Sequence, residues 1–288
     1  MTDRLQAVCP LLLADFDRFR ILMRSLDRFC DAETLESILV VVPAGEQDAV
    51  EEAIVEESWM HRTEVVTEES LGLSQQPLDG WYRQQIIKLI AADRFATPFY
   101  LTLDADVICC KPVSYSDLVP GGRAAITMTS RSAHSDWWYQ SAAILGVRVR
   151  VRRLAPRIWR PRWWMSQPGM SVTPAVLSTL HVRELMREIE RKWKKPVARV
   201  LGDRPFTEYT LYYLYLESNG LVDVVHDRER PVSCRGQGAN VWSADQFNAW
   251  DVGRLFGDLR QPGFFTVCQA GKGIATAQVW DRIAPRLE

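Results

Sequence analysis

The sequence has no long apolar run and no recognisable secretory leader. None of its hydrophobic stretches approaches the ~20 residues that a membrane-spanning helix needs. Residues 1–5 lack the basic region followed by a sustained apolar stretch that a signal peptide requires. We therefore expect a cytoplasmic protein, and any contact with the inner face of a membrane would be peripheral.

Two further absences exclude other classes of protein. The six cysteines show neither C-x-x-C spacing nor the density of a small disulfide framework, which disfavours zinc sites and disulfide scaffolds. Lys plus Arg number 35 and Asp plus Glu number 36, so no excess of positive charge is available for nucleic acid. We expect a reducing environment and no nucleic-acid partner.

The overall composition is that of an ordinary globular protein. Hydrophobic residues make up 47% and charged residues 25% of the 288-residue chain. One large α/β domain can reach this length. We expect a single domain over 1–288, with halves 1–120 and 121–288 that meet at a soft boundary near Gly121.

Short apolar runs alternate with amphipathic stretches in the first half of the chain. The pattern predicts strands that start at Ala7 and cover 37–43, 63–67 and 99–104, with helices over 16–29, 46–57 and 81–94. Such alternation is typical of α/β proteins with a Rossmann-like, mostly parallel sheet flanked by helices. The second half is less regular, and its clearest predicted helices cover 174–194 and 207–218.

Two aspartates follow the last strand of this pattern. Asp104 and Asp106 stand one residue apart, and in open α/β sheets ligands bind beyond the carboxyl ends of the strands. Two such carboxylates can reach one hard cation, and magnesium is usually held by one or two carboxylates plus phosphate oxygens. The pair therefore predicts a Mn²⁺ or Mg²⁺ site that faces a diphosphate. A surface turn without a metal is the alternative.

The helix predicted before these aspartates carries a cation beside two amides. Lys88 shares a helix face with Gln84 and neighbours Gln85, and Asp79 is a predicted N-cap. A cation beside paired amides suits the recognition of phosphate and hydroxyl groups. In the alternative interpretation, the apolar residues between them form the buried stripe and the polar side chains face water.

A glutamate opens the helix predicted over 207–218. Thr207 is the expected N-cap, which places Glu208 in the first turn. Glu208 is a candidate general base for the deprotonation of an attacking hydroxyl. A first-turn glutamate also stabilises the helix dipole without any catalytic role. Both interpretations stay open.

Four motifs carry a resemblance to a known family through their order and spacing. They are Gly80-Trp81, Gln84-Gln85-x-x-Lys88-Leu89, Leu103-Asp104-Ala105-Asp106 and Thr207-Glu208-Tyr209. Over most of residues 5–220, the chain resembles a bacterial family of largely uncharacterised proteins, a domain of unknown function assigned to GT-A-like glycosyltransferases. The resemblance implies a GT-A glycosyltransferase fold, in which 1–120 binds a nucleotide sugar and 121–288 binds the acceptor.

The resemblance also implies roles for individual residues. Asp104 and Asp106 would hold the metal against a nucleoside-diphosphate sugar, with a UDP-sugar as the expected donor. Asp106 and Glu208 are then the expected catalytic residues. Pro10 and Asp15 follow the first strand, where GT-A enzymes contact the nucleotide base. The expected donor-binding set is Pro10, Asp15, Gln84, Gln85, Lys88 and Asp104.

The third metal ligand is not assigned by the resemblance. Many GT-A enzymes add a late histidine, but this chain has Gln269 where we would look for it. His226 is another candidate, although a lone histidine after two valines is more often structural.

Aromatic and basic residues of the second half suggest how an acceptor is held. Trp138 and its aromatic neighbours are a candidate sugar-stacking platform, with core packing as the alternative. Residues 148–164 contain seven arginines and three tryptophans. Arg157, Arg160 and Arg162 are therefore candidate contacts to an anionic acceptor or a membrane surface. Surface ion pairs are the alternative role of these arginines.

The resulting hypothesis is transfer of a sugar to a hydroxyl of a bacterial glycan or glycolipid. A sugar-nucleotide nucleotidyltransferase is one alternative, disfavoured because no glycine-rich, basic phosphate loop occurs near the N-terminus. A non-catalytic glycan-binding protein of the same fold is another, disfavoured by the intact Asp104 and Asp106.

Overall fold

The structure, a computed structural model, describes residues 4–73, 80–147, 164–202, 204 and 206–287. Its strands are β1 (Leu5–Pro10), β2 (Leu35–Val42), β3 (Thr63–Thr67), β4 (Phe99–Thr102), β5 (Val107–Cys109), β6 (Ala124–Ala125), β7 (Met128–Ser130), β8 (Pro168–Met170), β9 (Ala175–Ser178), β10 (His226–Asp227) and β11 (Phe265–Val267).

The described helices alternate with these strands in the first half and dominate the second. They are α1 (Phe16–Phe29), α2 (Gln47–Val55), α3 (Gly80–Ile90), α4 (Tyr115–Leu118), α5 (Ser135–Leu145), α6 (Thr179–Trp193), α7 (Val197–Gly202), α8 (Glu208–Ser218), α9 (Val222–Val225), α10 (Ala244–Phe247), α11 (Val252–Gly257) and α12 (Thr276–Leu287). Short 3-10 turns occur at Leu13–Asp15, Ala44–Glu46, Met60–Arg62, Glu69–Leu71, Ala91–Arg94, Pro120–Gly122 and Arg131–His134.

A five-stranded sheet in the order β3-β2-β1-β4-β9 forms the centre. The strands from β1 to β4 pair in parallel, and β9 runs antiparallel to β4. Val8 of β1 lies between Leu39 of β2 and Thr102 of β4. Side chains on both faces of the inner strands are buried, which explains their continuous apolar runs. The predicted mostly parallel sheet is confirmed.

Helices cover both faces of this sheet. Val8 and Tyr100 belong to a core cluster that includes residues of α3 and α8. Ala7 and Leu101 point to the opposite face, since neighbouring side chains alternate along a strand, and join a cluster with α1. A third, smaller cluster packs α11 and α12 against the region of β5.

Helix α1 shows why the first half could be predicted closely. Phe19, Leu22 and Leu26 are fully buried, and their spacing of three and four residues places them on one helix face. Asp17 lies in the first turn and Arg28 in the last, where each charge interacts favourably with the helix dipole. The helix runs over Phe16–Phe29, as predicted.

The prediction of a single helix over 174–194 is wrong. Residues Ala175–Ser178 form β9, which pairs with β4 at the edge of the sheet, and α6 starts only at Thr179. Val176 and Leu177 are both fully buried in this strand. Pairing with the otherwise open edge of β4 outweighs the helical pattern that continues from α6. As a result, β9 extends the sheet next to β4, the strand that leads to the two aspartates.

No helix among the described residues is long and apolar enough to cross a membrane.

Candidate active site

The two aspartates lie in the turn between β4 and β5, at the carboxyl edge of the sheet. The backbone N–H of Leu103 still donates to the carbonyl of Val8, at 2.9 Å. The chain therefore stays in register with β1 up to the residue before Asp104. The Oδ2 atom of Asp106 accepts a hydrogen bond from the backbone N–H of Ala270, at 2.9 Å. The Asp106 carbonyl accepts another from Cys268, at 3.1 Å. The loop after β11 therefore fixes Asp106.

Lys88 joins residues that are distant in sequence. Its Nζ atom lies 2.5 Å from Oδ1 of Asp104 and 3.0 Å from Oε1 of Glu208. The side chain of Lys88 is 1% exposed and that of Glu208 is fully buried, whereas Asp104 is 27% exposed. The ring of Tyr209 lies below the ammonium group, 5.5 Å from Nζ. The cluster therefore leads from a buried glutamate, through a buried lysine, to a solvent-facing aspartate.

Burial and neighbouring charges determine the protonation of this cluster. Burial would lower the pKa of Lys88, but the carboxylates of Asp104 and Glu208 outweigh it and hold that pKa well above its usual value. Burial raises the pKa of Glu208 to about 7, although Lys88 opposes the shift. Burial and the neighbouring Asp104 raise the pKa of Asp106 to about 7. A positive charge near Asp106 would stabilise its ionised form.

The two aspartates fit the requirements of a divalent cation. Oδ1 of Asp106 is buried and has no hydrogen-bond partner among the described residues. Asp104 is partly exposed, and its Oδ1 atom is the one that pairs with Lys88. The described residues contain no group of three His, Cys, Asp or Glu side chains suited to a metal. Two carboxylates nevertheless match the usual magnesium site, in which substrate phosphates supply the other oxygens.

The two proposed third ligands occupy different surroundings. Gln269 lines the same cavity as Asp104. His226 is buried, with Nε2 3.0 Å from the hydroxyl of Tyr212 and Nδ1 3.1 Å from the carbonyl of Ala124. Both ring nitrogens of His226 are occupied, which agrees with the structural role that the sequence favoured.

Of the two roles that the sequence left open for Glu208, the geometry does not favour the general base. Thr207 caps α8, as predicted, because its side chain accepts a hydrogen bond from the backbone N–H of Thr210. The carboxylate of Glu208 is fully buried against Lys88 and does not line the cavity beside Asp104. The geometry makes Glu208 a residue that positions Lys88.

Helix α3 separates two cavities at this edge of the sheet. The Asp104 cavity has a volume of 480 Å³ and is lined from α3 by Trp81, Gln85 and Lys88. These residues are four and three positions apart and share a helix face. The Pro10 cavity has a volume of 360 Å³, and Gln84 contributes to it from another face of α3. The structure thus assigns the two neighbouring glutamines to different cavities.

Of the two residues predicted after the first strand, one reaches a cavity. Pro10 lines the Pro10 cavity together with Pro43 from the end of β2. The 3-10 turn Leu13–Asp15 carries Asp15 onward to the start of α1. There Asp15 lines neither cavity as the described residues define them. The predicted donor contact of Asp15 is therefore not supported.

The two neighbouring tryptophans of α5 both line the Asp104 cavity but differ in exposure. Trp138 is 2% exposed, packs edge-on against Tyr213, and lies under the guanidinium group of Arg131. Trp138 packs in the core and also lines the Asp104 cavity, so its role towards an acceptor stays a prediction. Its neighbour Trp137 is partly exposed, lines the Asp104 cavity, and stacks on Trp81 with centroids 5.4 Å apart. Helical geometry separates the two neighbours by about 100° and explains this difference.

Several predicted residues lie outside the described part of the chain. They are Asp79, Arg157, Arg160 and Arg162.

The sequence did not reveal several residues that line the Asp104 cavity, among them Thr173 and Trp242. Thr173 precedes β9, and Trp242 precedes α10. The one signal available was the glycine-rich stretch after β11, where Gly271 and Gly273 adopt positive φ around Lys272. This stretch continues directly from Ala270, whose N–H binds Asp106.

The chain matches the sequence profile of a family of unknown function, DUF6492, over residues 2–287. No protein of curated function matches it.

Solved structures with similar folds include two glycosyltransferases. The apo form of mouse xyloside xylosyltransferase 1 has a TM-score of 0.51 and 12% identity, over 94% of this chain and 100% of that one. The galactosyltransferase LgtC, in complex with donor and acceptor sugar analogues, has a TM-score of 0.52 and 10% identity, over 98% and 95% of the two chains. At this identity the likeness shows the fold, and the predicted GT-A fold is confirmed.

Proposed function

We propose that this chain, which belongs to the DUF6492 family, is a metal-dependent glycosyltransferase that takes a sugar from a nucleoside-diphosphate donor. A UDP-sugar is the favoured donor, and a hydroxyl of a glycan or glycolipid is the acceptor. The observation that carries the proposal is the Asp104–Asp106 pair, which combines a buried oxygen that has no partner among the described residues with a neighbouring buried lysine. The similarity in fold to glycosyltransferases supports the same assignment.

The positions of the two cavities suggest how a donor is divided between them. The Pro10 cavity lies beyond the ends of β1 and β2, the usual ligand position in an open α/β sheet, and suits the nucleoside. Asp104 and Asp106 suit the diphosphate, through Mn²⁺ or Mg²⁺. The Asp104 cavity then receives the transferred sugar and the acceptor, with Gln85 and Lys88 in its wall.

The bound cation would neutralise the charge that grows on the diphosphate as the sugar bond breaks. In the transfer itself, the acceptor oxygen forms a bond to the anomeric carbon, and the bond from that carbon to the phosphate oxygen breaks. The nucleoside diphosphate leaves with the electron pair, and the proton of the acceptor hydroxyl passes to a phosphate oxygen of this departing group. Lys88 holds Asp104 in place for this step, and Glu208 holds Lys88.

Hydrolysis of the donor tests this function without knowledge of the acceptor. Purified protein is incubated with a panel of UDP-, GDP- and dTDP-sugars, with Mn²⁺, with Mg²⁺, or with EDTA. We expect slow release of nucleoside diphosphate from at least one donor with metal, and none with EDTA. Metal-independent release, or none from any donor, would contradict the proposal.

The same incubations distinguish the two alternatives. Formation of a nucleoside triphosphate when pyrophosphate is added would indicate a nucleotidyltransferase. Binding of glycans on an array, without turnover of any nucleotide sugar, would indicate a glycan-binding protein.

A location at the inner membrane face is a separate part of the proposal. Its support is the composition of residues 148–164, because each basic residue near an anionic bilayer contributes about 1 kcal/mol. Replacement of Arg157, Arg160 and Arg162 by serine should reduce cosedimentation with anionic liposomes at low salt. If the unmodified protein does not bind these liposomes, the membrane location is wrong and the donor site is unaffected.

A further inference from the structure

The Asp104 cavity has three partly exposed tryptophans in its wall, and they differ in how their rings are covered. Trp81 and Trp137 stack on each other, and His134 stacks on Trp137 with centroids 3.9 Å apart. Trp242 is 37% exposed, and within the described residues no aromatic ring or cation packs against it. Trp242 therefore offers an aromatic surface that the protein itself does not use.

The backbone of Trp242 is held in a fixed relation to the metal-binding carboxylates. Its N–H donates to Oε1 of Gln246, at 2.7 Å. The preceding residue, Val241, donates to Val267 of β11 and accepts from Gln269, both at 2.8 Å. The residue after Gln269 is Ala270, whose N–H binds Asp106. The same short segment thus positions both the exposed indole and the aspartate.

The polar groups of the cavity are mostly uncharged. Among the described lining residues, Lys88 and Asp104 are the only Lys, Arg, Asp or Glu, and they pair with each other. Thr173 lines the cavity, and its hydroxyl is buried and has no hydrogen-bond partner within the described residues. Such a group is costly to bury unless a ligand or water satisfies it. The amide of Gln85 adds a further neutral donor and acceptor.

We propose that the Asp104 cavity binds the acceptor through an uncharged pyranose ring that stacks on Trp242. A pyranose presents an apolar C–H face, which suits an indole, and a rim of hydroxyl groups, which suits Thr173 and Gln85. The cavity volume of 480 Å³ falls within the roughly 300–1,000 Å³ typical of small-molecule sites. This assignment rests on the proposed transferase function and names the chemical class of its acceptor.

Ligand-observed NMR and calorimetry with the full chain test the proposal directly. The probes are methyl β-D-galactopyranoside and methyl β-D-glucopyranoside, compared with the anion glucose 6-phosphate and the acyclic polyol sorbitol. We expect a neutral pyranoside to bind, and neither comparison compound to bind as well. Trp242→Ala should weaken this binding about tenfold, because an aromatic surface is lost from the contact. Trp242→Phe should retain most of it.

Trp280→Ala is the matched control. Trp280 is also a partly exposed tryptophan, but it packs over Arg24 on α1, outside the cavity. Pyranoside binding should be unchanged in this variant. The proposal is overturned if no neutral pyranoside binds, if glucose 6-phosphate binds better, or if Trp242→Ala binds as tightly as the unmodified protein.

Donor hydrolysis in the same variants separates this proposal from the function on which it rests. We expect Trp242→Ala to lose transfer to added pyranosides to a much greater extent than it loses metal-dependent hydrolysis of the nucleotide sugar. If the unmodified protein hydrolyses no donor, the transferase function fails, and NMR still decides whether the cavity binds a pyranose. If Trp242→Ala transfers to pyranosides as well as the unmodified protein, the acceptor assignment fails and the transferase function stands.

Discussion

Two buried polar clusters of this protein differ in whether their hydrogen-bonding groups are satisfied. At the carboxyl edge of the sheet, Asp106 has a buried oxygen without a partner among the described residues, next to the charged pair of Lys88 and Asp104. Beneath β9, His226 has both ring nitrogens occupied by Tyr212 and Ala124. Because an unsatisfied buried group costs stability, the first arrangement indicates a site that a ligand completes, and the second indicates a structural contact.

Replacement of Asp106 should have the largest effect on activity. Asp106→Asn keeps the size of the side chain and removes the charge that a cation needs. Metal-dependent donor hydrolysis should fall roughly 10³-fold or more, since a bound metal ion would contribute several kcal/mol to catalysis. The melting temperature should not fall, because a buried charge is costly to the folded state and its removal relieves that cost. Calorimetry that showed unchanged nucleoside-diphosphate binding with and without Mn²⁺ would remove Asp106 from the metal site.

Replacement of Lys88 should have the largest effect on stability. In one of the two sequence-based interpretations Lys88 faces water, but it is buried between two carboxylates. Lys88→Ala leaves them uncompensated and should cost about 3–5 kcal/mol in the free energy of unfolding, measured with urea. The double variant Lys88→Met, Glu208→Gln removes both buried charges and should recover most of this loss, but not activity. A Lys88→Ala protein of normal stability would show that the ion pair is not formed.

His226 should make the structural cluster sensitive to acid. Burial lowers the pKa of His226 to about 4, below its usual value of about 6.5. As the pH falls, the unfolded chain therefore binds the proton before the folded chain does. The contribution of neutral His226 to stability is present above pH 6.5 and is lost as the pH falls towards 4. Between pH 7 and pH 5 the loss should be about 2 kcal/mol. Urea unfolding of His226→Gln, in which this group cannot titrate, should show a smaller loss. Equal losses in both proteins would contradict the assignment.

Replacement of Glu208 distinguishes a positioning role from a catalytic one. Glu208→Gln preserves shape but no longer pairs with the Lys88 ammonium group, so Lys88 and Asp104 lose their fixed position. We expect binding of UDP with Mn²⁺ to weaken about tenfold, a loss of about one hydrogen bond to a charged group. A general base would act only on the acceptor, and its loss would leave UDP binding unchanged. Calorimetry with unchanged affinity, together with lost transfer, would restore the catalytic role.

The sequence predicted what depends on local pattern. The periodicity of α1 and the β-branched residues of β2 and β3 each specify an element through neighbours in the chain, and these predictions are confirmed. The aspartates were found because a strand and two carboxylates are adjacent in the sequence. Prediction failed at β9, because pairing with β4 depends on a strand more than 70 residues away in the chain, as in the contact of Thr102 with Ala175.

The site itself combines both kinds of information. The identities of Asp104, Asp106, Gln85 and Lys88 could be inferred from short motifs, because their chemistry is carried by residue type and spacing. Whether a side chain reaches the cavity depends on which face of its element is covered.

The sequence by itself therefore determined the class of fold and the carboxylate pair, since strand–helix alternation and residue chemistry act over short distances. The tertiary structure alone decided that Glu208 is buried behind Lys88, that Trp242 and not Trp138 presents an open ring, and that Ala270 fixes Asp106. Each of these contacts joins residues more than 100 positions apart or depends on packing from several elements. No local pattern in the chain encodes such contacts, because they form only when the sheet brings its strand ends together.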